Sequence, residues 1–141
     1  MKKIFISSDH AGYKLKELIK THLDKKNIRY SDLGPFSDVK VDYPDYAHKV
    51  AKKVKTNNNY AGILICGSGM GMNITANRHK NIRAAQCFNL KSTKLSRLHN
   101  DANIITLGSR LVTKKNALKC VGVFLSTRFE GGRHLKRIKK I

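Results

Sequence analysis

One thiol, Cys66, closes an apolar run and opens the glycine-studded stretch Gly62-Ile-Leu-Ile-Cys66-Gly67-Ser68-Gly69-Met70-Gly71-Met72. Gly67, Gly69 and Gly71 remove Cβ atoms where main chain must approach a ligand, so successive amides can converge on an anion or a developing oxyanion. The residues from Met70 to Asn77 have the composition of a short helix, whose positive end would face the same place. Such a loop suits a negatively charged intermediate. An ordinary thiol with pKa near 8.5 is only about 3 % ionised at pH 7, so the chemistry needs surroundings that favour the anion. The same residues also fit a plainer role, a small buried hydrophobe at a strand end followed by a tight turn. The loop is neither a phosphate loop ending in Gly-Lys-Ser/Thr nor a full dinucleotide fingerprint, because Ile74 stands where the last small residue belongs.

Other residues able to do chemistry cluster in a few short motifs. Asp9 and His10 follow a first apolar run, Arg110 follows Leu107-Gly108-Ser109, and His99-Asn100 precede Asp101. Arg133 and Arg137 lie four apart, on one face of a C-terminal helix, and can present two planar forks to one phosphate. Each has an ordinary alternative. His99-Asn100-Asp101 reads equally as a helix-ending cap, and the two arginines as charges on a solvated tail beside Lys136, Lys139 and Lys140. His22, His48, His79 and His134 read as surface or packing histidines.

These residues need a frame, and the chain supplies one. Strand patterns at Lys3 to Ser8, Ile28 to Leu33, Ala61 to Ile65, Ile82 to Cys87 and Asn103 to Leu107 alternate with helical patterns. The helical ones follow Gly12, begin near Pro44, and run over Met70 to Asn77, Lys91 to Leu98, Lys114 to Ser126 and about Gly132 to Lys140. That rhythm predicts a parallel sheet with helices on both faces, a three-layer α/β/α sandwich. Ligands of such sheets bind at the carboxyl ends of the strands, where Asp9, His10, Cys66 to Gly71 and Gly108 to Arg110 fall.

Composition limits the alternatives. The 141 residues fit one domain spanning 1–141, and no apolar run approaches the roughly 18 residues of a membrane span, so the expected compartment is the cytoplasm. Cys66, Cys87 and Cys120 are odd in number and widely spaced, which argues for free thiols and against a disulfide framework or zinc site. The net charge of +20 invites a nucleic-acid reading. Yet 21 of the 29 basic residues are Lys, dispersed along helices as at Lys14, Lys16 and Lys20 in the manner of solvated outer helix faces, without interleaved aromatics or a recognition motif. A basic nucleic-acid-binding module remains the rival from another class. It predicts duplex binding at about 150 mM salt and indifference to Cys66→Ala.

Seven motifs in one order carry a resemblance over essentially the whole chain: Ser8-Asp9-His10-Ala11-Gly12, Asp42 to Ala47, Gly62 to Met72, Ile82 to Ala85, Leu98 to Asn103, Leu107 to Arg110 and Phe129 to His134. Together they resemble the ribose-5-phosphate isomerase B family, which also holds galactose-6-phosphate isomerase subunits. The resemblance implies a five-stranded Rossmann-like sheet in the order 2-1-3-5-4. It also implies homodimers or homotetramers with active sites at subunit interfaces, the C-terminal helix reaching a partner. The implied activity is the aldose–ketose isomerisation of ribose 5-phosphate and ribulose 5-phosphate in the non-oxidative pentose phosphate pathway, with no metal or organic cofactor. A hexose 6-phosphate such as galactose or allose 6-phosphate is the rival substrate. Among the residues, Cys66 is implied as the base and His99 as the acid/base that opens the sugar ring. Asp9, Asn100 and the Gly67, Ser68, Gly69, Met70 and Gly71 amides are implied to hold sugar oxygens. His10, Arg133 and Arg137 are implied to hold the phosphate, Arg110 to line the pocket and Tyr43 to lie near it. Ser68 where relatives carry threonine, and polar Gln86 inside the fourth strand, are the departures. Gln86 points to a strand near an edge or facing a subunit contact.

Overall fold

The computed structural model describes residues 3–141. Five parallel strands form one sheet in the order β2-β1-β3-β5-β4. They are β1 (Lys3–Ser8), β2 (Tyr30–Asp32), β3 (Tyr60–Cys66), β4 (Ala84–Gln86) and β5 (Ile104–Gly108). The helices between and after them are α1 (Tyr13–Lys25), α2 (Tyr43–Val54), α3 (Met70–Ala76), α4 (Leu90–Asn100), α5 (Lys114–Ser126) and α6 (Arg133–Ile138). Among the described residues no helix is long and apolar enough to cross a membrane.

Strand alternation divides the apolar residues between two cores, as a sheet covered on both faces requires. Ile4, Ile6, Ile63, Ile65, Ile105 and Leu107 face Leu15, Ile19 and Leu23 of α1 and Ala117, Cys120, Val121 and Phe124 of α5. Phe5, Leu64, Cys66 and Ile104 face Ala47, Val50, Ala51 and Val54 of α2 and Met72 and Ala76 of α3. The central strands β1 and β3 match the expected runs closely. The two edge strands are shorter than expected. Ile28 and Ile82 instead have their amides tied into turns, to Leu23 O and His79 O.

Two expectations need correction. The α4 helix continues past Leu98 to Asn100 and stops where Asp101 turns left-handed, φ 44°, so His99 and Asn100 occupy its last turn. Lys16 does not belong to a solvated lysine face; it is fully buried. Its Nζ donates to both Asp32 oxygens, at 2.8 and 3.0 Å, and to the Pro35 carbonyl. Lys20 reaches the same carboxylate at 2.7 Å. A buried ammonium is tolerable only with such partners. The cluster fixes the chain after β2, at the carboxyl end of the sheet.

Candidate active site

Cys66 is the last residue of β3, its side chain on the α2/α3 face and only 4 % exposed. The chain then doubles over it. Gly69, at φ 80°, permits the turn and lies against the Leu107–Gly108 backbone too closely for a side chain. The turn aims the Gly69 N–H at the thiol, 3.1 Å from Sγ. Since α3 spans two turns, the loop amides rather than a helix dipole make the cradle. The other thiols differ: Cys120 is fully buried in the α1/α5 core, and burial pushes the Cys87 thiol up, a combination that leaves packing as their role.

Neighbouring strand ends hold the loop in place. Ser109 N donates to Cys66 O at 2.8 Å, Arg110 N to Gly67 O at 3.0 Å, and Ser109 Oγ to Ala11 O at 2.8 Å. The Arg110 guanidinium lies on Gly67, and the Tyr43 ring lies on Gly71. Ser68 Oγ accepts from Met70 N, whose own side chain is half exposed. Asp9, buried after β1, accepts the Gly12 N–H on Oδ1 at 2.9 Å. His10 accepts Val41 N on Nδ1 at 3.3 Å, which leaves Nε2 as the donor edge. Asp9, His10, Tyr43, Cys66 to Gly71 and Arg110 therefore meet at the carboxyl edge of the sheet. Gln86 joins them: from the edge strand β4 its Nε2 donates to Ser68 O at 2.6 Å. Its polarity inside a strand was the visible signal, but its partner lies 18 residues away.

His99, Asn100, Arg133 and Arg137 are elsewhere. Helix α4 runs antiparallel to the strands and delivers its last turn to the amino edge, where Asn103 O accepts from Gly62 N and Ile104 pairs with Gly62. Gly62 and Cys66 are four strand residues apart, roughly 13 Å at the rise of a strand. One protomer therefore does not bring Cys66 and His99 together. Helix α6 joins the amino edge through Glu130 N, which donates to Leu98 O at 3.1 Å. Arg133 and Arg137 are exposed, and neither has an ion pair or side-chain hydrogen bond among the described residues. Asp101 pairs with Arg83 and Arg97, at 3.0 and 2.8 Å, and Asn103 accepts Arg83 N, so both keep structural work.

The reading of His134 as merely packing is incomplete. Its buried ring stacks on His99, centroids 4.2 Å apart and planes 12° from parallel. His99, Glu130 and His134 place ligand atoms within 4.8 Å of one another. Near-parallel rings, however, hold their nitrogen lone pairs side by side instead of converging them on one ion.

Comparison with known proteins bears on the family and the fold. A family model described as Ribose/Galactose Isomerase matches residues 4–141. Ribose-5-phosphate isomerase B of Escherichia coli is 43 % identical over 141 residues, covering 100 % of this chain and 95 % of that protein. The Thermotoga maritima ribose 5-phosphate isomerase structure superposes with a TM-score of 0.95 at 49 % identity, covering 98 % of this chain and 95 % of its own. A Mycoplasma genitalium ribose-5-phosphate isomerase B with bound ribulose 5-phosphate gives 0.94 at 47 %, covering 98 % and 92 %.

Proposed function

The chain belongs to the ribose/galactose isomerase family, and from that premise we propose that it interconverts D-ribose 5-phosphate and D-ribulose 5-phosphate through an enediolate. The observation that carries the mechanism is the Cys66 sulfur held under the Gly69 N–H at the end of β3. The Cys66 thiolate removes the C2 proton of the open aldose and the C1 oxygen gathers negative charge; the O2 hydroxyl proton then passes to O1, its O–H electron pair becomes the second bond of the C2 carbonyl, and the proton on sulfur returns to C1 to give the ketose. Amides of Gly67, Ser68, Gly69, Met70 and Gly71 face the charge as it develops. A single donor in that role is worth about 3 kcal/mol. Asp9 orients hydroxyls, Arg110 closes the pocket over Gly67 and Tyr43 walls it at Gly71.

The remaining groups come from a second copy. The two edges of one sheet stand too far apart to share a sugar, so the Cys66 edge of one protomer works with the His99 edge of another. His99 opens the furanose, Asn100 holds sugar oxygens, and Arg133 and Arg137 of α6 join His10 on the phosphate. The enzyme is on this reading a homo-oligomer, dimer or tetramer, acting on a cytoplasmic phosphosugar of the non-oxidative pentose phosphate interconversions and using no metal. The test is turnover of ribose 5-phosphate beside galactose 6-phosphate and allose 6-phosphate, with and without EDTA. Preferred turnover of the pentose, insensitive to chelator, is expected. A preference for either hexose overturns the substrate, and loss of activity with EDTA overturns the metal-free chemistry.

A further inference from the structure

Two residues at the amino edge have no part in the reaction so far. His134 is 5 % exposed, stacked on His99, and its Nε2 is buried without a hydrogen-bond partner among the described residues. Glu130 places Oε2 3.9 Å from His99 Nε2 and 4.0 Å from His134 Nε2. One carboxylate oxygen thus faces the same edge of both rings, a short movement from bonding either. The backbone enforces this arrangement: Glu130 N is tied to Leu98 O, one residue before His99, and His134 N closes the following turn onto Gly131 O at 3.0 Å.

A buried ring nitrogen left unpaired is costly, and Glu130 is the acceptor within reach. Two imidazoles in face contact cannot both carry a proton without like-charge repulsion, to which Arg133 and Arg137 add. Burial, and after it the neighbouring His99 and Arg133, hold the His134 ring below its ordinary pKa, with Glu130 opposing. The buried ring of the stack is therefore the one held neutral.

We propose that His134 and Glu130 are positioning residues for His99 in ring opening, His134 as a flat neutral platform that fixes the imidazole plane and Glu130 as the acceptor that orients its far nitrogen. This rests on the isomerase reading above. In the step, the C1–O4 bond breaks, its electron pair goes to O4, and O4 takes a proton from the His99 imidazole. The O1–H electron pair becomes the second bond of the aldehyde, and the O1 proton restores the imidazole, so no net proton is consumed. A carboxylate on one ring nitrogen keeps the other aimed at the substrate, the same division of labour that orients histidines in other acid–base sites.

The two half-reactions can be separated because ribulose 5-phosphate, with its 5-oxygen phosphorylated, has no five-membered ring to open. Solvent deuterium wash-in at its C1, followed by NMR in D2O with the native oligomer, reports the Cys66 step alone. Net turnover of 4-deoxyribose 5-phosphate, an aldehyde lacking the ring oxygen, reports the same step independently. Glu130→Gln and His134→Gln are expected to lower kcat on ribose 5-phosphate at least tenfold while leaving wash-in, or turnover of the deoxy analogue, within about twofold of wild type. His134→Phe, which restores a flat ring without the nitrogens, should recover part of the loss. If cyclic and open-chain reactions fall together, or neither falls, the proposal is overturned. Glu130 is half exposed, so its variant decides the matter even if the buried His134 variants fail to fold. Absence of ribose 5-phosphate turnover in wild type would instead overturn the isomerase reading itself.

Discussion

The carboxyl edge of the sheet is built from backbone, and the amino edge from side chains. At the first, Cys66 is buried and its loop is pinned by the amides that follow β5 and by Gln86 from β4, while Lys16 on Asp32 holds the chain after β2 at the same edge. At the second, His99 is more than a third exposed, Asn100, Arg133 and Arg137 more so, and only His134 is buried. Charge that develops during a reaction is best met by dipoles that need not move, whereas groups that capture a phosphate or open a ring can be ordered when substrate and partner arrive. The difference teaches that the carboxyl edge is finished within one chain while the amino edge leaves its groups open to solvent.

Removing the base should have the largest effect. Cys66→Ala is expected to lower kcat by ~10³ or more, in line with the upper range for general bases. It should also abolish C1 exchange in ribulose 5-phosphate, with circular dichroism and oligomeric state unchanged. Near-wild-type turnover would remove Cys66 from the mechanism.

Mixing tests the division between edges directly. Cys66→Ala and His99→Gln are each expected to be severely impaired alone. If each site draws on both copies, co-refolded mixtures contain mixed dimers with one intact site, and activity should return to roughly a quarter of wild type. A mixture as inactive as its components would mean that Cys66 and His99 act from the same protomer. That result would break the comparison.

How far the sequence reaches depends on where each partner lies. The apolar runs of β1 and β3, Pro44 at the start of α2 and the Asn57-Asn58-Asn59 break after it were readable because each signal is local. The Cys66 loop was readable for the same reason. Edge strands β2 and β4 were overextended because Ile28 and Ile82 are apolar enough for a strand but have their amides committed to turns. Lys16 was misread because its partner Asp32 sits on another element, 16 residues on, and spacing along α1 shows only a row of lysines. Likewise, nothing local joins His99 to His134. The four-residue spacing of Glu130 and His134 was visible, but the ring they serve belongs to α4. The separation of the two edges follows only once the direction of α4 against β5 is known.

The phosphate clamp should show as binding rather than chemistry. Replacing Arg133 and Arg137 together by Ala is expected to raise KM for ribose 5-phosphate by roughly 100-fold, since each charge-assisted hydrogen bond contributes about 1.5–3 kcal/mol. The change in kcat should be much smaller. An equal fall in kcat would move these arginines toward the reacting atoms. Smaller again is Gln86→Leu, which frees the Ser68 carbonyl. About tenfold in kcat is expected, with roughly 1 kcal/mol of stability lost. An unchanged kcat would mean that the β5 amides alone hold the loop.

The smallest effect on activity at neutral pH, and the cleanest on stability, belongs to the cluster behind the carboxyl edge. Burial alone would raise the Asp32 carboxyl, but hydrogen bonds from Lys16, Lys20 and the Gly34 N–H outweigh it and hold the group below its ordinary value of 3.8. A carboxylate depressed on folding contributes stability that is complete above its unfolded pKa and disappears as pH falls through the folded one. Asp32 should thus support the fold fully at pH 7 and lose its contribution progressively below about pH 4. Lys16→Met keeps the stem in place and removes the charge. Its expected cost is roughly 2 kcal/mol in urea unfolding at pH 7, less than for an isolated buried pair because Lys20 still meets Asp32. That cost should shrink as the acid transition is approached. A Glu130→Gln variant at the amino edge should show no such pH-dependent loss. If both edges lost stability together in acid, the carboxyl edge would hold no private ionic support, and its rigidity would have to come from the backbone bonds alone.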